Sequence, residues 1–171
     1  MAGVFACCQR RILGSMERAE LKRLVDANDW LWEQWWPALL ALSPEQAHRE
    51  VGGSFPSVFA TTAHMVGAEA VWLERLQGSP AASFPANPAD MKGLHQSWQR
   101  LASKRQDWLA TADPNALITY SFSGGTSTNT VSEIVFHFSS HAHFHRGQLA
   151  GQMRLLGQKP PSAHFIGYFR L

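Results

Sequence analysis

The stretch Thr130–Gly157, TVSEIVFHFSSHAHFHRGQLAGQMRLLG, has the pattern of one long amphipathic helix. Its apolar side chains recur at the three- and four-residue spacing that lines one face of a helix. Thr130 and Glu133 have the spacing of a capping box, in which each side chain bonds to a free amide at the helix start. Gly157 suits the position just after the helix end, with two prolines beyond it. The apolar stripe consists of Val135, Phe138, Ala142, Leu149 and Leu156.

Three further amphipathic helices are predicted upstream of this stretch. The first spans about Glu17–Leu42, and Pro37 should kink or interrupt it just after Trp36. The second spans about Ser57–Gln77, and the third runs from near Met91 to near Thr111.

A short β-hairpin is predicted between the third and the fourth helix. Leu117–Phe122 has the β-branched and aromatic content of a strand, Gly124 and Gly125 mark a turn, and Thr126–Thr130 can return as a second strand. Three of the four helices are long and their connections are mostly modest. The sequence therefore predicts an all-α fold, a four-helix bundle with a short hairpin before the last helix.

The composition limits the classes of protein to consider. The chain has 171 residues, of which 45% are hydrophobic and 11% aromatic, so it can bury a sizeable core and intrinsic disorder is excluded for most of it. No apolar run approaches the roughly 20 residues of a membrane span. The formal net charge is +2 without a basic cluster, so neither nucleic acid nor a membrane is expected as a partner.

The first fifteen residues differ from the rest of the chain. They contain both cysteines, Cys7 and Cys8, which are adjacent and cannot staple a fold. We expect residues 1–15 to be a disordered leader or the result of a start assigned too early, with Met16 as the true first residue. Residues 16–171 are then a single domain, and a cytoplasmic location follows from the absence of a disulfide framework.

The histidines carry most of the chemical information. The chain has eight, and four fall within nine positions of the last helix. His141 and His145 are four residues apart, so they share one helix face, and they are in phase with the apolar stripe. Metal coordination would remove the desolvation cost of two imidazoles that point inward. Two hydrogen-bonded core histidines are the alternative.

A third histidine on the second helix favours the metal. His64 is the only histidine of that helix, and small residues, Ala60 and Ala68, lie one turn to either side. Taken alone, His64 fits a core histidine. Together with the pair on the last helix it supplies a third nitrogen, and three protein ligands leave a coordination position open, as in catalytic zinc sites.

Several motifs resemble those of the DinB/YfiT-like superfamily. Ser140–Gln148 resembles its NHxxxHRGQ signature, and Met153–Pro161 resembles its LRxxGxxPP continuation. Ser54–Leu76 is similar to its second-helix stretch, and the run Asn28-Asp29-Trp30 to positions of its first helix. The resemblance spans about residues 16–171.

The resemblance implies an up-down-down-up four-helix bundle, often dimeric, that holds a divalent metal with His64, His141 and His145. Zinc or nickel is expected first, with iron or manganese as further candidates. Four other residues are candidates for supporting contacts around the ligands, although Arg146 and Gln148 can equally tie the last helix to its neighbours or contact substrate. These candidates are His137, Gln148, Arg146 and Asn28.

Two positions depart from the family pattern. Ser140 stands where Asn is common, which alters a contact beside the first ligand of the last helix. His164 stands where Asp is common, so the C-terminal turn lacks the carboxylate that the family pattern has there.

Three functional hypotheses follow, and the characterised members of the superfamily imply the first of them. The first is a metal-dependent enzyme that uses a low-molecular-weight thiol as cosubstrate, of the S-transferase or isomerase type, acting on a small molecule. The second is a hydrolase with metal-bound water, for which Glu69 is the candidate base and solvated helix surface the alternative. The third is a non-catalytic metal-binding stress-response protein. A homodimer is expected, and Trp30, Trp36 and Trp72 can form its face or complete the core.

Overall fold

Four long helices make up most of the computed structural model, which describes residues 16–171. The proposed leader, with Cys7 and Cys8, lies outside the described residues. The helices are α1 (Arg18–Leu40), a short α2 (Pro44–His48), α3 (Val58–Leu76), α4 (Met91–Leu109) and α5 (Val131–Leu155). Strands β1 (Leu117–Phe122) and β2 (Gly125–Thr130) precede α5, and a 3-10 helix (Phe165–Arg170) ends the chain. The prediction of a mostly helical chain with a hairpin before the last helix is confirmed.

The ends of α5 form as the sequence predicts. The Thr130 hydroxyl accepts from the Glu133 amide at 3.2 Å, and the Glu133 carboxylate accepts from the Thr130 amide at 2.9 Å. Gly157 follows the helix with φ of +75°, a conformation that glycine adopts without a steric penalty. Its amide bonds to the carbonyl of Arg154 at 2.9 Å, which satisfies one of the last free carbonyls.

Three elements differ from expectation. Helix α1 continues through Pro37 to Leu40, so of the two effects expected of this proline, a kink or an interruption after Trp36, the interruption is wrong. Proline lacks only its own N–H, and its carbonyl still accepts from the amide of Ala41 at 3.2 Å. Two further elements were not predicted from the sequence: α2, which begins with a capping box between Ser43 and Gln46, and the C-terminal 3-10 helix.

The helices bury two apolar clusters. Helix α1 packs against α4 and α5, and α3 packs against the same two helices. One cluster is built around the tryptophans Trp32, Trp35, Trp36 and Trp98. The other joins the starts of α1 and α5 to the ends of α3 and α4, and includes Leu21, Val25, Leu76, Leu109 and Ile134. Because Trp36 is buried in the first cluster, it completes the core rather than a dimer face.

The hairpin is anchored on α3. Its register pairs Leu117 with Thr130 and Phe122 with Gly125. Arg75 of α3 donates to the carbonyl of Ser121 at 2.8 Å, and the Ser121 amide bonds to the carbonyl of Pro80 at 3.0 Å. Within residues 16–171, none of the helices combines the length and the apolar character that a membrane crossing requires.

A buried carboxylate links three of the long helices. Glu69 of α3 accepts from the side chains of Asn28 at 3.0 Å and Trp32 at 2.8 Å, both on α1. Its other oxygen accepts from Arg105 of α4 at 3.0 Å, and Arg105 also pairs with Asp29 of α1. Glu69 is 3% exposed, so its interpretation as solvated helix surface is wrong.

Helix α5 joins the same network through Arg146. This guanidinium is fully buried and donates to the side chain of Asn28 at 2.9 Å and to its carbonyl at 3.1 Å. Burial lowers the pKa of Arg146 to about 10 and raises the pKa of Asp29 to about 6, an increase that Arg105 opposes. The network therefore contains two carboxyl groups and two guanidinium groups and connects all four long helices.

Replacing Glu69 by Gln should destabilise the protein by about 3–5 kcal/mol, because it removes one buried negative charge and leaves the guanidinium groups undercompensated. The measurement is urea unfolding followed by tryptophan fluorescence. Glu74→Gln is the matched control, since Glu74 is exposed on the same helix, and its effect should stay within about 0.5 kcal/mol. Equal stability of the two variants would contradict the structural role of the network.

Candidate metal centre

Three imidazoles meet between α3 and α5. Nε2 of His141 lies 3.1 Å from Nε2 of His64 and 3.1 Å from Nε2 of His145. The potential ligand atoms of the three residues all lie within 4.8 Å of one another. His145 is buried, whereas His64 and His141 are half-buried. The structure thus brings together the three histidines that the sequence singled out.

The pairing of α3 with α5 brings the histidines together. His141 and His145 are separated by one helical turn, about 6 Å along the axis, so both rings leave α5 on the same side. Thr61, three residues before His64, donates to the side chain of Gln152 on α5 at 2.9 Å. This buried bond fixes how α3 lies along α5 and therefore where His64 meets the pair.

Gln148 orients His145. Its side-chain oxygen lies 2.9 Å from Nδ1 of His145, and its amide nitrogen donates to the hydroxyl of Ser54 at 2.9 Å. Since an amide oxygen only accepts, Nδ1 of His145 carries the proton in this arrangement and Nε2 keeps a free lone pair. The predicted supporting role of Gln148 thus has a direct contact behind it.

Two phenylalanines cover His64. Phe55 stacks on its imidazole with ring centres 4.2 Å apart, and Phe84 lies parallel to it at 5.5 Å. Phe84 also rests on Gly67 of α3, where an added Cβ would come within 2.7 Å of the Phe84 ring. Sequence analysis missed Phe84, and a glycine inside a helix three residues after His64 is the only signal that pointed to it.

The electrostatics of the cluster favour neutral imidazoles. Burial, followed by the nearby His145, lowers the pKa of His64. Burial and the neighbouring histidines lower the pKa of His141 to about 4. Both rings therefore have free lone pairs at neutral pH, which is the form that binds a metal.

The spacing of the nitrogens suits a small divalent ion. Bonds of about 2.1 Å place ligand nitrogens about 3.4 Å apart in tetrahedral geometry and about 3.0 Å apart in octahedral geometry. The observed 3.1 Å separations fall between these values. The donor set, the neutral rings of His64 and His141, and the spacing thus all fit a metal, which small rotations of the rings would accommodate.

The other predicted supporting residues lie elsewhere. The His137 ring is 6.0 Å from that of His141 and packs edge-on against Trp72 at 5.0 Å, without a hydrogen bond to the cluster. Asn28 and Arg146 bond to each other in the buried ion network rather than to a histidine of the cluster.

Both departures from the family pattern are exposed. The Ser140 hydroxyl donates to the backbone carbonyl of His137 at 2.9 Å and contacts none of the three histidines. His164 occupies the position just before the C-terminal 3-10 helix, and its side chain makes no capping hydrogen bond there. His143, which lies between the ligand pair in sequence, is exposed and lies 3.1 Å from the carbonyl of Ala163.

The metal-free protein should lose stability through His141 as the pH falls from about 6.5 to about 4. Over this range the folded state keeps the imidazole neutral, whereas the unfolded chain takes up a proton. The stability of wild type minus that of His141→Gln should therefore decrease on acidification, as measured by urea unfolding of chelator-treated protein. The raised pKa of Asp29 makes its contribution to stability increase on acidification, opposite to that of His141. Asp29 is present in both proteins, so its contribution cancels in the difference. A difference that does not vary with pH would contradict the prediction.

Comparisons with known proteins agree with the motifs. The sequence profile of the DinB family matches residues 16–171. Protein DinB of Bacillus subtilis (strain 168) is 24% identical to this chain over 146 residues, which are 79% of this chain and 85% of that protein. Since the profile covers the whole described part of the chain, the protein belongs to the DinB family.

Proposed function

We propose that this protein holds a divalent metal ion with His64, His141 and His145 and uses it to react a low-molecular-weight thiol with a small-molecule substrate. The observation that carries the proposal is the convergence of three imidazoles, in which Nε2 of His141 lies 3.1 Å from Nε2 of both His64 and His145. Within residues 16–171 the group contains three histidines and no fourth ligand. Catalytic zinc sites use three protein ligands in the same way and leave a position for the reacting molecule.

The donor set favours zinc or nickel, because imidazole suits both ions. Iron and manganese remain further candidates. Three neutral imidazoles bring no negative charge, so the site does not select a metal by charge.

A thiol has to come from outside the described chain. Both cysteines of the sequence lie before residue 16, so none of the side chains in residues 16–171 can act as a sulfur nucleophile. A bound divalent ion would hold a thiol as thiolate at neutral pH. Gln148 keeps Nε2 of His145 available, and Phe55 and Phe84 both stack on the His64 ring.

The hydrolase hypothesis is weaker because its candidate base is occupied. Both oxygens of Glu69 accept hydrogen bonds inside the ion network, from Asn28, Trp32 and Arg105. A carboxylate held in this way cannot accept a proton from water at the cluster. The third hypothesis is a non-catalytic metal-binding role, which the response of the bound metal to a thiol distinguishes from catalysis.

We also propose the up-down-down-up topology, with residues 16–171 as one domain. Supporting this, Arg18 of α1 bonds to the chain just after α4, so these two helices run in opposite directions. The Thr61–Gln152 bond and the contact of Trp72 with His137 likewise make α3 and α5 antiparallel.

We further propose a homodimer in the cytoplasm, where thiols stay reduced. The exposed apolar side chains of α5 suit a dimer face; they are Phe136, Phe144 and Leu155.

Protein purified without a histidine tag should contain about one divalent metal ion per chain, because three neutral imidazoles bind first-row ions tightly. His64→Ala and the double variant His141→Ala/His145→Ala should lose it, as measured by elemental analysis after dialysis. His143→Ala is the matched control, since this histidine is exposed on the same helix, and it should keep the metal. A folded wild type that takes up neither zinc nor nickel would remove the basis of the proposal.

Addition of a thiol to the cobalt-substituted protein should produce a sulfur-to-cobalt charge-transfer band, because the open position admits a thiolate. The same protein loaded with its native metal should transfer the thiol to a chromogenic electrophile. His64→Ala should lose both signals and His143→Ala should keep both. A tightly held metal with neither band nor transfer would favour the non-catalytic hypothesis.

A further inference from the structure

A cavity lies between the hairpin, α3 and α5, and we call it the hairpin cavity. Its volume is about 400 Å³, which is enough for a small organic molecule. Three aromatic side chains form much of its wall: Trp72 of α3, and Tyr120 and Phe122 of β1. The polar lining comes from Arg75, Ser127, Asn129, Glu133 and His137. An aromatic wall with a few placed polar groups is typical of ligand sites.

Arg75 is the cation of the hairpin cavity. Its guanidinium lies over the rings of Trp72 at 4.6 Å and Tyr120 at 5.0 Å, which hold it in place. Among residues 16–171 its one hydrogen bond is to the Ser121 carbonyl, and it forms no ion pair there. Its buried Nε has no partner in the same part of the chain. A positioned guanidinium with unused donors is suited to a carboxylate.

The other polar groups of the hairpin cavity are bonded to one another. The Asn129 oxygen accepts from the hydroxyls of Tyr120 at 3.0 Å and Ser127 at 3.1 Å, and its nitrogen donates to Glu133 at 3.2 Å. These groups satisfy one another and include a carboxylate, which repels an anion. An anionic ligand is therefore directed toward Arg75.

The hairpin cavity adjoins the three-histidine cluster. His137 lines the cavity, and its ring lies 6.0 Å from the ring of His141. His141 belongs to the cluster and comes one helical turn after His137 on α5. Arg75 comes eleven residues after His64, about 16 Å along the helix axis; both side chains lean toward the N-terminus, and the longer arginine side chain carries its guanidinium several ångströms closer to the cluster. A ligand that joins the two places must therefore be elongated, on the order of 10 Å between its ends.

We propose that the hairpin cavity binds the carboxylate end of an elongated organic acid at Arg75, with its apolar body against the aromatic wall and its other end directed past His137 toward the cluster. The proposal rests on the proposed function, because it assigns this molecule as the substrate or the thiol cosubstrate of that site. The carboxylate site itself needs no bound metal, so it can be tested separately.

The first test is calorimetric titration of the metal-free protein with octanoate and with octanamide, its uncharged analogue. Octanoate should bind once per chain, and octanamide at least about tenfold more weakly, since it lacks the charge-assisted bonds to Arg75. Arg75→Gln should abolish this preference, whereas Arg154→Gln, an exposed arginine on α5, should retain it. No binding of octanoate, or an equal preference in Arg75→Gln, would overturn the proposal.

Arg75 also anchors the hairpin, so Arg75→Gln can fail to fold. A second variant therefore tests the cavity with Arg75 in place. Ser127→Phe leaves Arg75 intact and fills the hairpin cavity from β2, so it should weaken octanoate binding at least about tenfold. If Arg75→Gln proves unfolded by circular dichroism, unaltered binding to Ser127→Phe would overturn the proposal.

The second test uses 8-mercaptooctanoate, whose sulfur and carboxylate lie about 10 Å apart when extended. In cobalt-substituted protein it should give the charge-transfer band at a concentration at least about tenfold lower than 8-mercaptooctanamide does. Arg75→Gln should remove this advantage while leaving the band. Loss of the band in every protein would count against the proposed function, whereas a band of equal midpoint for both thiols would overturn the link between the hairpin cavity and the cluster.

Discussion

Two carboxyl groups and two guanidinium groups are buried together where the four long helices meet, and the rest of the structure has to accommodate them. Removing a single charge from water costs several kcal/mol unless a partner compensates for it. Here the partners of Glu69 come from α1 and α4, and Arg146 of α5 completes the group through Asn28. A helix that is displaced or rotated leaves at least one of these groups uncompensated, so the network restricts each helix to a narrow range of positions.

The network determines which side chains face the histidine cluster. On α5, Arg146 follows His145 directly, about 100° around the helix, so the bonds of Arg146 to α1 turn His145 toward α3. On α3, Glu69 comes five residues after His64, about 140° around the helix, which separates the carboxylate from the imidazole. The structural charges and the candidate ligands thus occupy different faces of the same two helices. Rotation of either helix would disturb both sets together.

Patterns of residues that are close in sequence correctly predicted those features that depend on interactions between such residues. The capping box of α5, Gly157 and the hairpin follow from residues a few positions apart, and so does the pair His141 and His145. Glu69 was misread because its partners lie 36 and 41 residues away, and nothing near it distinguishes a buried carboxylate from a solvated one. Phe84 was missed for a similar reason, since it lies in a loop and reaches His64 only through the fold.

The buried ion network is charged, whereas the histidine cluster carries no negative charge. This difference determines the charge of the molecule that the metal site would bind. Every carboxylate of the network is already paired with a guanidinium or an amide, and the group of possible ligands within residues 16–171 contains none. A divalent ion held by three neutral imidazoles keeps its two positive charges, and its surroundings are partly shielded from water. Such a centre attracts an anion to its open position more strongly than a neutral molecule. The same preference holds for Arg75 in the hairpin cavity, which forms no ion pair among the described residues. A bound metal ion and the Arg75 guanidinium would together favour a molecule with a negative charge at each end, and a thiol acid meets that requirement once its sulfur is ionised.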